Sequence, residues 1–235
     1  MLLNRRQSIG QLVTLAGIAT AGAAQAQQSC AVFTKETQAG LSPDDALQRL
    51  KDGNARFVAG KTVNCDLLKQ VRDTATGQAP FAAIVGCMDS RVPPELVFDQ
   101  RIGDIFSARI AGNFVNTDII GSLEYATAAA GSKLIVILGH SDCGAVKGTV
   151  DNVKLGNLTA TLANIRPSLE KLNYQGVPSS KDKALVQKVA DQNARDAAAA
   201  ILTRSDVIAQ QVKDGKVKIV SAMHDVATGQ ISWFA

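Results

Sequence analysis

Residues 133–146 read Lys-Leu-Ile-Val-Ile-Leu-Gly-His-Ser-Asp-Cys-Gly-Ala-Val, or KLIVILGHSDCGAV, and the apolar half of this stretch decides the fold. Lys133 to Leu138 is a lysine followed by five unbroken apolar residues and closed by Gly139, too short for a buried helix and suited to a strand covered on both faces. Phe81 to Gly86 has the same character, Asp104 to Ala108 reads as a third strand, and Ile119 to Ala130 reads as an alanine-rich helix between them. Strands separated by helices predict a parallel sheet with right-handed crossovers.

Working outward, Ser42-Pro43-Asp44-Asp45 places a capping side chain, a proline and two acids where a helix begins, and Leu47, Leu50, Phe57 and Val58 follow at helical spacing. A helix over 43–58 is expected, ending near Gly60. Residues 191–213 predict one long helix around Ala197 to Ala200, and Val217 to Val220 a further strand. Asp225 to Phe234 reads as a closing hairpin arm turning at Thr228-Gly229. Residues 152–180, broken by Gly156, Pro167, Gly176 and Pro178, predict short helices and loops. The expected fold class is α/β: a mainly parallel sheet of about four strands plus a C-terminal antiparallel strand, flanked by helices, with an N-terminal helical arm.

The chain has 235 residues, 46% hydrophobic and 20% charged, enough for a single sizeable core. A net charge of +4, from 25 basic and 21 acidic residues without long like-charge runs, leaves no footprint for a nucleic-acid partner. Residues 1–26 form an export signal: Arg5-Arg6, an apolar run from about Ser8 to Ala24, and an Ala24-Gln25-Ala26 cleavage site. That run is too poor in strongly apolar residues to span a bilayer, so no membrane association is expected after cleavage. The arginine pair followed by Gln7-Ser8-Ile9 resembles a twin-arginine signal, although Ser8 stands where an aromatic or large apolar residue is usual, and the expected destination is the periplasm.

Cys87 directly follows the strand ending at Gly86, and Cys143 follows the strand ending near Gly139, by way of His140. Ligands bind at the carboxyl ends of strands in open α/β sheets, so Cys87, His140 and Cys143 should converge on one crevice. Two thiolates and an imidazole suit zinc, and three ligands leave a fourth position open, as in catalytic sites. A buried thiol or a core histidine is the plain alternative for each residue taken alone.

Cys87-Met-Asp89-Ser-Arg91, followed by His140-Ser-Asp-Cys143, resembles the signature of the β-class carbonic anhydrases. The likeness runs through ALQRLKDGNARFVAG at 46–60, GQAPFAAIVGCMDSRVPPELVFD at 77–99 and SLEYATAAAGSKLIVILGHSDCGAVKG at 122–148, so that 27–235 is expected to form one such domain. The resemblance implies one Zn2+ per chain held by Cys87, His140 and Cys143, a catalytic dyad of Asp89 and Arg91, and reversible hydration of CO2 to bicarbonate by attack of metal-bound hydroxide. Zinc lowers the pKa of bound water from ~15.7 toward ~7, and a permanently charged Arg91 would keep Asp89 ionised. Some members of the family carry the aspartate on the metal, which makes Asp89 a conditional fourth ligand.

Gln78, Phe106 and Tyr125 match the substrate pocket of the plant-like branch, with Ala111 at a wall position that is commonly valine. In relatives that pocket is shared across a subunit interface, implying a homodimer or tetramer. Read without the resemblance, Asp89 and Arg91 are a surface ion pair, and Gln78, Phe106 and Tyr125 a turn residue and two core aromatics. Hydrolysis of carbonyl sulfide or carbon disulfide is the second enzymatic reading, and a periplasmic zinc or thiol protein the non-catalytic one. Cys30 and Cys65 are left over, and in an exported protein would pair or oxidise. His224 reads as a packed or solvent-facing histidine at a strand end, with proton relay the sharper alternative.

Overall fold

The structure is a computed structural model and describes residues 30–234. The export signal expected over 1–26 lies outside the described residues.

Five short runs form one sheet: β1 (Ala82–Gly86), β2 (Ile105–Arg109), β3 (Leu134–His140), β4 (Lys218–His224) and β5 (Ile231–Trp233). Their order is β2-β1-β3-β4-β5, with the first four parallel and β5 antiparallel to β4. Every residue of β1 and β3 is buried, as unbroken apolar runs require when both faces are covered. Alternate residues divide between the faces: Ile84, Leu134, Val136 and Leu138 pack with Leu50 and Phe98, whereas Val85, Ile135 and Ile137 pack with Leu123, Ala194 and Ile201. Each such aliphatic side chain contributes about 1.5–3 kcal/mol on burial.

From β1 the chain passes to β2 on one side, and β3 then returns to the other side of β1. The reversal of order falls between β1 and β3, the position at which the carboxyl ends of an open sheet leave a crevice.

The helix Pro43–Val58 covers the first face with the expected bounds, started by a reciprocal Ser42–Asp45 capping box. Ahead of it, the arm helix Lys35–Ala39 is anchored by the buried Gln38, whose amide donates to the carbonyls of Pro80 (2.6 Å) and Ala130 (3.0 Å). Leu158–Ala163 and Arg166–Glu170 are short helices within the irregular stretch, as expected.

Several boundaries differ from expectation. The third strand starts at Ile105 because the Asp104 carboxylate is engaged, accepting from the Arg101 amide. The helix expected over 119–130 begins at Thr117, capped by Asn116, and after Glu124 continues as a π-helical turn over Tyr125–Ala129. The single helix expected over 191–213 is two, Lys183–Arg204 and Asp206–Lys213. Ser205 between them is extended, accepts from the Ile208 amide and donates to Glu124 Oε1, so it ends one helix and caps the next. Among the described residues no helix is long and apolar enough to cross a membrane.

Candidate metal centre

Cys87 leaves β1 at its carboxyl end, His140 is the last residue of β3, and Cys143 caps the helix Gly144–Val150 after a turn in which Asp142 takes a left-handed φ of 58°. Parallel pairing sets Gly86 opposite Leu138, so the residues that follow both strands emerge side by side. The two sulfurs and a ring nitrogen of His140 lie within 4.8 Å of one another, and all three residues are buried.

The donor set fits a single zinc ion. Cys87 Sγ and Cys143 Sγ stand 3.9 Å apart. Two thiolates on a tetrahedral zinc, each at about 2.3 Å, would be separated by about 3.8 Å. His140 Nδ1 lies 2.9 Å from the Ser141 carbonyl, which only accepts, so Nδ1 carries the proton and Nε2 offers its lone pair. Nε2 is buried and has no protein partner, an arrangement that a cation would satisfy. Phe114, Val146, Ile165 and Val189 surround the sulfurs with apolar surface.

Each thiol answers to the other. The hydrogen bond with Cys143 holds Cys87 well below the usual thiol value, assisted by His140 and by the amides of Gly112 and Asp89. The same hydrogen bond, with burial and the neighbouring negative charge, pushes Cys143 up. One proton shared between two buried sulfurs is the state expected without a metal.

Asp89 lies at the rim, with Oδ2 3.9 Å from His140 Nε2. Arg91 grips it at two points, Nε donating to Oδ1 (2.9 Å) and an Nη to Oδ2 (2.8 Å), while the Arg91 amide adds a third bond to Oδ1 (3.0 Å). Those bonds, led by the guanidinium, hold the Asp89 carboxyl far below the usual range. Asp89, expected as a conditional fourth ligand, is turned toward Arg91 and is not among the three clustered donors. Arg91 also reaches Asp142 at 3.6 Å, and Asp142 pairs with Lys147.

Gln78, Phe106 and Tyr125 are placed elsewhere in the same subunit. Phe106 and Tyr125 meet edge to face with ring centroids 6.1 Å apart, and Tyr125 is 57% exposed. Phe106 pairs with Ala83 near the start of β1, and the exposed Gln78 precedes that strand. The five residues of β1 span about 16 Å, which sets these three toward the opposite end of the sheet from Cys87.

Sequence reading overlooked two neighbours of the centre. His224, expected as a packed or solvent-facing histidine at a strand end, stands in register with His140 because β4 adjoins β3. The expected strand stopped at Val220, four residues short, so the register was hidden. His224 is buried with neither ring nitrogen bonded, and burial first, then the neighbouring His140 imidazole, hold its pKa down. Arg109, opposite Gly86 at the end of β2, donates to the carbonyls of Cys87 (2.9 Å) and Asp89 (2.5 Å) and so ties down the loop carrying both. A lone arginine in a strand gives no sign of that in sequence.

Cys30 and Cys65 form a disulfide, and Cys87 and Cys143 are the free cysteines of the described residues.

The family model for carbonic anhydrase matches residues 82–231. A carbonic anhydrase of Mycolicibacterium smegmatis is 35% identical over 192 residues, covering 81% of this chain and 92% of that protein. Carbonic anhydrase 2 of Mycobacterium tuberculosis is 33% identical, covering 80% and 91%. Among solved structures, one of the tetrameric β-carbonic anhydrases of Sordaria macrospora superposes with a TM-score of 0.61 at 26% identity, covering 71% of this chain and 90% of that one. With a matching family model, near full-length relatives and a mostly parallel sheet presenting a Cys-His-Cys cluster at its switch point, the chain belongs to the β-class carbonic anhydrases, and it is an enzyme of that family.

Proposed function

We propose that this enzyme hydrates CO2 reversibly to bicarbonate and a proton, with zinc held by Cys87, His140 and Cys143 and with Asp89 and Arg91 as its catalytic dyad. The observation that carries the proposal is the convergence of three metal donors within 4.8 Å, with an arginine-held carboxylate at their rim. Zinc, when bound, supplies the Lewis acidity that lets water act as a nucleophile near neutral pH. Asp89, kept ionised by Arg91, would accept a hydrogen bond from the attacking water and so orient it toward the carbon of CO2. Arg91 turns one edge of its fork, two donors side by side, onto Asp89, which supports a carboxylate held off the metal and the open, plant-like form of the site. Arg109 holds the Cys87–Asp89 loop so that ligand and dyad keep one geometry.

Gln78, Phe106 and Tyr125 serve the site of a second copy of the chain in a homodimer or tetramer, the amide donating to an oxygen of bicarbonate and the rings walling a dry space for CO2. Their position away from the Cys87 mouth of their own subunit supports this arrangement, as does the tetrameric state of the Sordaria relatives. Residues 1–26 direct export to the periplasm, and the Cys30–Cys65 disulfide, at home in an oxidising compartment, supports that destination.

Stopped-flow hydration of CO2 from about pH 6.5 to 9, with zinc content measured in parallel, tests the reading. A zinc-dependent rate that rises with pH is expected. Zinc-replete protein inactive on CO2 at pH 9 but active on carbonyl sulfide or carbon disulfide would overturn it.

A further inference from the structure

Behind Cys87 stands a support contributed from the far end of the chain. The Gly112 amide donates to Cys87 Sγ at 3.3 Å, and the Gly112 carbonyl accepts from Asn193 Nδ2 at 2.7 Å. Gly112 sits in a turn closed by the Asn113 amide donating to the Ile110 carbonyl at 3.1 Å. The peptide joining 112 to 113 is therefore held at both ends, its N–H by Ile110 and its carbonyl by Asn193. Gly112 has φ +85°, and a β carbon there would lie 2.3 Å from Ile165 Cδ1, so only glycine fits between the helices and the sulfur. Glycine imposes little direction of its own, so an N–H that must aim at a sulfur has to be fixed from outside.

Asn193 supplies that fixing at a visible cost. It is 3% exposed, on the helix Lys183–Arg204, and its buried neighbours Val189, Ala190, Ala194 and Ala197 are apolar. An amide in such surroundings is unfavourable unless bonded, and Asn193 donates to the Gly112 carbonyl.

We propose that Asn193 is a positioning residue for the metal thiolate: by holding Gly112 it aims an N–H at Cys87 Sγ and sets the geometry and donor strength of that sulfur. The inference rests on Cys87 being a zinc ligand. Hydrogen bonds to ligating atoms orient them and adjust their electron density, and their loss typically weakens metal affinity or activity by about 10–100-fold.

The test uses the full-length mature enzyme and the variants Asn193→Asp, which keeps the shape but turns an oxygen toward the Gly112 carbonyl, and Asn193→Ala. Zinc affinity is measured by competition with a chelator. Cobalt(II) is then substituted, and its sulfur-to-metal charge-transfer band is recorded on the folded fraction, so that a destabilised variant remains informative. Melting temperatures of the zinc-free proteins are compared alongside. Because Asn193 acts on the ligand through Gly112, zinc affinity weaker by about 10-fold, the low end of the range for groups bonded directly to a ligand, with a displaced cobalt band, is the expected result. Wild-type affinity and an unmoved band in both variants, even with lowered melting temperatures, would reduce Asn193 to a packing residue and overturn the proposal. Wild-type protein that binds neither zinc nor cobalt would instead overturn the reading of Cys87 on which it rests.

Discussion

The two cysteine pairs of this chain sit in opposite circumstances. Cys30 and Cys65, both half-buried, join the start of the arm to the segment before the helix Leu67–Thr74 as a disulfide. Cys87 and Cys143 are buried at the ends of adjacent strands, their sulfurs 3.9 Å apart, hydrogen-bonded and free of any disulfide. What separates them is company rather than distance along the chain. The outer pair has no imidazole beside it, whereas the inner pair faces the free lone pair of His140 and accepts an N–H from Gly112. The outer pair limits how far the unfolded chain can wander, and the inner pair, with His140, forms a donor cluster that could hold a cation. Four predictions probe that division of labour.

The largest effect belongs to the inner pair. Replacing Cys87 or Cys143 by serine removes one of three donors, and we expect zinc to be absent by elemental analysis and CO2 hydration to fall to the uncatalysed background. Folding should survive, because the strands on which these residues stand are held by the buried aliphatic residues of both faces. Retained zinc with substantial activity in either variant would break the contrast between the pairs.

The outer pair should show the converse. Its half-cystines are 35 residues apart, and closing a loop of that length removes unfolded-state entropy worth about 4 kcal/mol at 25 °C, several hundredfold in the folding equilibrium. The double variant Cys30→Ser, Cys65→Ser, compared with the parent by urea unfolding, should lose stability on this scale, while the zinc content of the folded protein stays at one per chain. Loss of zinc along with the disulfide would show that the arm and the centre are coupled.

Next in size is the dyad. Arg91→Gln should lower CO2 hydration about 10–100-fold with zinc retained. It should also change the response to acid. The guanidinium depresses the Asp89 pKa in the folded state, so the pair's contribution to stability is complete above the ordinary aspartate value of 3.8 and is lost as pH falls through the lower folded value. Acid unfolding of the zinc-free variant should therefore begin at higher pH than that of the zinc-free parent. Identical acid midpoints would remove Arg91 from any role in keeping Asp89 charged.

The legibility of these features in the sequence follows their physics. Unbroken apolar runs at 81–86 and 134–138 reveal β1 and β3, and with them the crevice between, because a strand buried on both faces leaves a local signature. The metal donors are legible for the same reason, being the first reactive side chains after those strands. What stayed hidden depends on register or on distant contact. His224 needs the alignment of β4 against β3, and Arg109 needs β2 set beside β1. Asn193 needs a helix 81 residues beyond its partner to come to rest over the Gly112 turn. The break at Ser205 was missed although serine followed by aspartate is a capping pattern, because Ile201 and Ile208, seven residues apart, keep one helical phase across it.

The smallest effect is one proton, and it distinguishes the pairs most directly. In the metal-free centre the hydrogen bond from Cys143 favours Cys87 as thiolate, and the same bond, burial and the adjacent negative charge favour Cys143 as thiol. Ligating sulfurs must both be thiolates, so near neutral pH zinc should expel about one proton from the cysteines rather than two. Calorimetric titration of the metal-free protein with zinc, repeated in buffers of different ionisation enthalpy, reads that number as a slope. About one proton from the cysteines is the expected value, over and above the share given up by zinc-bound water as pH passes its pKa of about 7; a cysteine share of two, once the water's share is taken from the pH dependence of CO2 hydration, would mean that both sulfurs rest as thiols and that the shared-proton account is wrong. The disulfide has no proton to release, so the double serine variant at 30 and 65 should give the same slope as the parent. A different slope in that variant would mean that the arm reaches the electrostatics of the crevice, a connection for which Gln38, bonded to the carbonyls of Pro80 and Ala130 beside the starts of β1 and β3, is the nearest structural route.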